Sequence, residues 1–142
     1  MPIDGIFGTT IELLGKTLDL RARSQGMISA NIANAETPGY TPKELSFEGE
    51  LKSALKRKGE TAAGSVEVAN PRFIPLKGGS ADILSVTGDV VEDPSRSPGP
   101  DGNGVELETE MGRMAENQIM YNASVQLLNM QFGMLQKAIK GN

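Results

Sequence analysis

The chain has 142 residues, no cysteine, no histidine and a formal net charge of -4. This composition excludes disulfides and thiolate metal sites. It removes the commonest general base and transition-metal ligand, and it disfavours nucleic-acid binding, which needs clustered basic surface. Aromatic residues make up only 4% and tryptophan is absent, so a large aromatic core is not expected.

No apolar run reaches the roughly 18 residues that a membrane span requires. The N-terminus, Met1-Pro2-Ile3-Asp4-Gly5-Ile6-Phe7-Gly8, lacks a basic stretch followed by an apolar core, so it does not read as a cleavable secretory signal.

The first predicted element is a helix from about Thr9 to Ala35, capped by the Thr9 or Thr10 hydroxyl. Its heptad seam is Ile11, Leu18, Gln25 and Ile32 at a, with Leu14, Arg21, Ile28 and Ala35 at d. Arg21 and Gln25 make the middle of that seam polar. A polar residue in a seam fixes register, or else it faces solvent. Ser24, Gly26, Ser29 and Ala30 allow close approach of another helix. Pro38 and Gly39 end the element, because proline disfavours helical dihedrals in the residue before it. Asn34 reads as a helix C-cap, and Asn31 as a residue whose amide bonds a neighbour.

Thr37-Pro38-Gly39-Tyr40-Thr41-Pro42 then forms a stiff turn, with Tyr40 exposed unless something docks on it. A short amphipathic helix follows, carrying Phe47, Leu51 and Leu55 and fading at Lys58-Gly59. Lys52, Lys56, Arg57 and Lys58 are the one basic cluster, and they read as a solvated helix end.

The stretch from Gly59 to Gly104 differs in kind. It holds five of the eight prolines and eight of the 17 glycines, with sparse hydrophobes. Ser65 to Ala69 and Ile83 to Val91 are weak strand candidates, and Ser95 to Gly104 is a loop. Such a stretch is expected to be mobile in the free protein and to order on assembly.

The last element is a proline-free helix from about Val105 to Lys140, roughly 50 Å long. Position a reads Met111, Gln118, Val125, Phe132 and Ile139; position d reads Met114, Tyr121, Leu128 and Leu135. Glu106, Glu108 and Glu110 suit the positive end of the helix dipole, and Lys137 and Lys140 suit the negative end. Gly141 closes the helix.

A helix this long asks for a long partner, and the N-terminal helix supplies it. Ile11, Leu14, Leu18, Ile28 and Ile32 are expected to meet Met111, Met114, Tyr121, Val125, Leu128, Phe132 and Leu135, with Ile139 ending the seam. The expected fold is therefore mainly α. Long N- and C-terminal helices pair as a coiled coil around a Pro/Gly-rich, weakly β or disordered middle. The three stretches are 1–58, 59–104 and 105–142, the two ends forming one domain.

Paired as a hairpin, the helices cover one stripe on each other. Leu13, Leu20, Met27, Ile119, Met120, Leu127, Met130 and Met134 are then left over, which indicates helix partners from other chains. Methionine suits a surface that packs against non-identical neighbours. The alternative is that these residues form the internal core of a small bundle.

Two blocks resemble a known family. Ala30-Asn31-Ile32-Ala33-Asn34 running into Thr37-Pro38-Gly39-Tyr40 resembles the N-terminal signature of the flagellar axial proteins, which build rod, hook and hook-associated structures. Asp101-Gly102-Asn103-Gly104-Val105-Glu106-Leu107-Glu108-Thr109-Glu110-Met111 is similar to the start of the C-terminal helix in proximal members of the basal-body rod family. Ala115-Glu116-Asn117, Tyr121 and Met134 to Ile139 extend the likeness. In the middle, Asn70-Pro71-Arg72-Phe73-Ile74 resembles a family segment that usually has histidine where Phe73 stands. The chain has no room for the large inserted domains of distal rod and hook proteins.

The resemblance implies a structural subunit of the rod, the driveshaft crossing the periplasm, exported by the flagellar type III apparatus without a cleaved signal. It implies no cofactor. Its implied neighbours are further copies, other rod proteins, the basal-body adaptor protein FliE and the MS-ring protein. The rival readings are a soluble coiled-coil adaptor or export chaperone, and an enzyme. An enzyme would need a convergent carboxylate or lysine site, which residues spaced like Glu106, Glu108 and Glu110 do not provide.

Overall fold

The computed structural model describes residues 4–63, 83–92 and 99–141. Two long helices dominate it: α1 (Asp4–Ala33) and α3 (Leu107–Lys140). Between them lie β1 (Lys43–Ser46), α2 (Glu48–Ala63), a single 3-10 turn (Ile83–Ser85) and β2 (Asp89–Glu92). The strands pair antiparallel, with Lys43 opposite Glu92 and Ser46 opposite Asp89.

The two long helices pack against each other antiparallel, since Asn31 meets Glu110 while Arg21 meets Asn117. The mainly helical architecture with its terminal helices in contact is thus the one the heptads predict.

α1 begins at Asp4, so Thr9 and Thr10 lie inside it rather than capping it. α3 ends as expected: Gly141 takes a left-handed φ of 70° and donates its N–H to the Lys137 carbonyl, with Lys137 and Lys140 in the last turn.

The apolar core does not lie in the two-helix seam. Leu20, Leu45, Phe47, Leu51, Ala54, Ile83 and Val86 form one buried cluster where β1, α2 and the 3-10 turn pack onto the side of α1. Leu13 and Met27 pack against it. Leu13, Leu20 and Met27 recur every seven residues, hence on one face of α1. The heptads leave these three as surface for other chains, but this chain's own short elements cover them. On α2 the buried face is Phe47, Leu51 and Ala54, while Leu55 is turned partly outward. The helix also continues past Lys58 to Ala63.

Within the middle stretch, residues 83–92 are not a free linker. Ile83 and Val86 are among the best-buried side chains, and β2 completes the sheet. The expected strand over Ile83 to Val91 is a 3-10 turn followed by a strand over its second half. The strand candidate Ser65 to Ala69, the segment Asn70 to Ile74 and residues 93–98 lie outside the described residues.

Gly88 turns the chain into β2. Its φ is +69°, and a Cβ there would sit 3.0 Å from the Phe47 Cβ and 3.1 Å from the Leu45 Cδ1. Gly26, by contrast, lies in the interior of α1, where an added Cβ would meet nothing within 4 Å. Gly88→Ala is therefore expected to destabilise the chain by roughly 1–3 kcal/mol. Gly26→Ala is expected to stabilise it by roughly 0.5–1 kcal/mol in dilute solution. Urea unfolding followed by circular dichroism measures both, and the opposite ordering would refute this account of the turn.

Candidate assembly interface

The candidate functional surface lies on the two long helices, and α1 and α3 pack first against each other. Among the described residues, no group of three or more metal-ligating side chains is placed to hold an ion.

Three residues of α3 are buried: Glu110, Asn117 and Ser124. They are seven apart and all polar. Met114, Tyr121, Leu128 and Leu135 lie half-buried beside them. The stripe turned toward α1 therefore keeps the predicted d positions but replaces the predicted a positions with the residues just before them. Met111 and Phe132 are 58% and 50% exposed, and Ile139 is 85% exposed. Val125 is half-buried. On α1, Ile28 is buried, while Ile11, Leu14, Leu18 and Ile32 are half-buried.

The shift has a physical cause: each inward polar residue is satisfied. Asn117 donates from Nδ2 to the Arg21 carbonyl at 3.0 Å and to Gln25 Oε1 at 2.8 Å, and its Oδ1 accepts from Arg21 Nη1 at 3.4 Å. Ser124 returns its hydroxyl to the Met120 carbonyl at 2.9 Å. Arg21 and Gln25 thus meet Asn117. Gln118, the polar residue of the predicted a positions on α3, is exposed and bonds Asn122 on its own helix. Arg21 also reaches Glu48 at 3.1 Å and lies 5.5 Å over the Phe47 ring, tying the seam to the head of α2.

At one end of the seam the two sequence blocks close on each other. Asn31 is 1% exposed. Its Nδ2 donates to the Lys43 carbonyl and to Glu110 Oε2, both at 2.9 Å. Its Oδ1 accepts from the Lys43 N–H at 3.0 Å and from the Tyr40 hydroxyl at 3.2 Å. Four bonds saturate a carboxamide. The amide that the sequence assigns to a neighbour is thus fully engaged within the chain.

Glu110 is wholly buried. It receives Arg113 Nη1 at 3.5 Å, and the same nitrogen reaches Glu44 Oε2 at 2.9 Å. Tyr40 is half-buried, because the loop before α3 docks on its turn. The Gly104 N–H donates to the Tyr40 carbonyl at 3.0 Å, and the Gly39 N–H to the Asp101 carbonyl at 3.2 Å. Gly39 and Gly102 both take positive φ, at 71° and 75°, where the loops touch. A Cβ on Gly102 would lie 3.5 Å from the Gly39 Cα. Pro42 is buried beside Gly104, whereas Thr37 and Pro38 are exposed.

Asn103 ties down the turn that follows α1. Its Nδ2 donates to the carbonyls of Asn34, Ala35 and Thr37 at 3.0, 2.7 and 2.8 Å, and its Oδ1 accepts from the Val105 N–H at 2.7 Å. These carbonyls belong to the turn that follows α1, so the loop before α3 fixes that turn. Asn34 caps from within: its Nδ2 returns to the Ala30 carbonyl at 2.8 Å, and its Oδ1 accepts from Thr37. Sequence reasoning places Asn103 and Glu110 within their block but gives neither this role. The signal available is two polar residues framing the start of an otherwise apolar stripe.

Substitutions at this clasp are expected to follow the number of groups each leaves orphaned. Asn31→Leu strands the Lys43 amide and carbonyl beside a buried carboxylate, for a loss on the order of 3 kcal/mol. Asn31→Asp, which sets a second carboxylate against Glu110, is expected to cost at least as much. Tyr40→Phe removes one donor from an acceptor that keeps another, for about 0.5–1.5 kcal/mol. Urea titrations of the three variants test the order, and a Tyr40→Phe loss as large as that of Asn31→Leu would contradict it.

Comparison with known proteins places these blocks. Residues 12–41 match the family described as flagella basal body rod protein. The chain is 31% identical over 127 residues to the flagellar basal body rod protein FlgB of Salmonella typhimurium, covering 89% of each chain. It is 31% identical over 129 residues to FlgB of Escherichia coli K12, covering 89% of this chain and 91% of that one. It is 34% identical over 126 residues to FlgB of Cereibacter sphaeroides, covering 89% and 90%.

Proposed function

The chain belongs to the flagellar basal body rod protein family, and from that membership we infer that it is a structural subunit of the rod, acting by helix packing rather than by catalysis. The observation that supports this reading best is the outer face of α3. Ile119, Met120, Leu127, Met130 and Met134 are exposed along it, at 42–67%, and Phe132 and Ile139, one turn on from the half-buried Leu128 and Leu135 and so on the inner side, are left exposed at 50% and 85% toward the end of the helix. A run of large apolar side chains along one helix marks surface that another protein covers. Among the described residues no helix is long and apolar enough to cross a membrane.

We further propose that the neighbours on this face are other copies and other rod proteins, with the adaptor FliE and the MS-ring protein at the proximal end. Export through the flagellar type III apparatus without a cleaved signal, and a place in the periplasmic part of the shaft, belong to the same proposal. In it, residues 1–58 and 105–142 act as one structural unit, onto which 83–92 and 99–104 of the intervening stretch 59–104 pack. The interface residues split into two sets. Met114, Tyr121, Leu128 and Leu135, with Ile11, Leu14, Leu18, Ile28 and Ile32, hold the hairpin together. Met111, Phe132 and Ile139 face a neighbour, and Val125 lies at the border.

The split makes a sharp prediction. Phe132→Asp places a charge on an exposed position of the free subunit, so its unfolding free energy is expected to stay within about 0.5 kcal/mol of the parent. In an assembled interface the same charge is desolvated at a cost of several kcal/mol. Rods should therefore fail to form and motility should be lost, while Leu128→Asp should damage the free subunit as well. Swimming plates and electron microscopy of basal bodies read the first effect, and urea unfolding reads the second. Normal swimming by Phe132→Asp would remove the exposed end of α3 from the interface.

A further inference from the structure

Asn31 covers the start of one edge of the small sheet, and among the described residues the other edge meets no partner. In an antiparallel pair, the N–H and C=O of one residue point the same way, alternately toward and away from the partner strand. Both backbone groups of Lys43 are taken by the Asn31 carboxamide, so they point away from β2. Asn31 thus occupies the start of the outer edge of β1 as a peptide group would. With Lys43 opposite Glu92, the register makes Leu45–Val90 the next pair of the same kind. On β2 it is therefore Val90 and Glu92 whose N–H and C=O groups face outward. Among the described residues these groups meet no partner.

The open edge is held rigid. The Gly88 N–H is held by Glu50 Oε2 at 3.0 Å, and the Thr87 carbonyl by Arg23 Nη1 at 2.7 Å. Ile83 and Val86, just before it, are in the core. Every residue of β2 is nonetheless exposed, Val90 at 50% and Val91 at 46%. Two-stranded sheets are marginal, and an exposed edge carrying apolar side chains is a template for a further strand. The charge beside the template is acidic. Glu92 is matched by Lys43 at 3.8 Å and Glu44 by Arg113, but Asp89 and Glu50 have no cationic partner among the described residues.

We propose that β2 is a strand-addition site. In the assembled rod it accepts an extended segment of a neighbouring protein subunit that alternates apolar residues with lysine or arginine. The backbone of that segment pairs with Val90 and Glu92, its apolar residues extend the Leu45–Val90 face, and its basic residues meet Asp89 and Glu50. This site rests on the rod reading but lies on a different surface from the outer face of α3.

The test exploits the register. Proline at position 90 removes an outward N–H and leaves the β1–β2 ladder untouched, because proline is tolerated on an edge where its nitrogen faces solvent. Val90→Pro is expected to keep the parent's circular dichroism and urea midpoint while basal bodies per cell fall roughly tenfold or more. Val90→Thr, which keeps the N–H, is expected to assemble normally. Wild-type yield of basal bodies with Val90→Pro would overturn the proposal.

Should the proline variant unfold, cross-linking decides. The chain has no cysteine, so a benzophenone maleimide attached to Val90→Cys in purified basal bodies reports on one position. The expected product joins it to another chain, within three residues of a lysine or arginine. A product confined to its own chain, a product on an acidic segment of the partner, or no product overturns the proposal. Absence of the unmodified chain from basal bodies would instead sink the rod reading itself.

Discussion

The structure depends on one side chain that behaves as a piece of backbone. Asn31 lies in α1, yet its carboxamide pairs with both backbone groups of Lys43 as a neighbouring strand would. A second donor is left for Glu110 at the start of α3, and a second lone pair for Tyr40 in the intervening turn. Four elements are thereby fixed to a single planar group. A carboxamide makes bonds only in its own plane, so the joint fixes orientation as well as proximity. Apolar packing alone would allow α1 and α3 to slide or rotate against each other at little cost.

That joint also explains why the core is where it is. With the turn pinned to α1, β1 must run back along the helix. It carries Leu45 and then Phe47 onto the face lined by Leu13, Leu20 and Met27. α2 and the 3-10 turn complete the cluster from the other side. α1 therefore has two different jobs: one face is covered by short elements in a conventional core, and another meets α3 through half-buried aliphatic residues and a polar row. The long helices need no large core between them because α1 is packed on one elsewhere and α3 is tied to α1 by the bonds at Glu110 and Asn117.

The long helices, the turn and the closing glycine are legible in the sequence because they rest on local rules: heptad spacing, proline and glycine punctuation, and charge at the helix ends. The d positions of α3 are legible for the same reason. The a positions are not. Glu110, Asn117 and Ser124 keep a seven-residue spacing that a hydrophobicity pattern cannot register, and the inward placement of Glu110 and Asn117 follows only from partners up to 96 residues away, as with Asn117 and Arg21. A straight helix also drifts about 20° per heptad from a strict 3.5-residue repeat, so one-residue ambiguity is built into such readings. Residues 83–92 are hidden differently. Ile83 to Val91 reads as a weak strand, but the burial of Ile83 and Val86 follows only once α1, β1 and α2 supply the rest of the cluster.

The two faces of α3 suit different mechanical demands. The inner face joins parts of one subunit, and its contacts at Glu110 and Asn117 are directional. A slip of one residue along α1 would break several hydrogen bonds at once and leave buried donors and acceptors unpaired, each costing about 1–3 kcal/mol. The outer face, with Met120, Met130 and Met134 among its exposed residues, is apolar and adaptable. Such a surface tolerates neighbours that differ in sequence and offset. A subunit of a shaft under torque must keep its own shape while its contacts vary along the axis. In the proposed assembly, directional bonding within the chain and non-directional packing against neighbours would divide those requirements between two sides of one helix. Exchanging the roles would give a stiff interface that accepts only one neighbour, on a subunit free to slip internally.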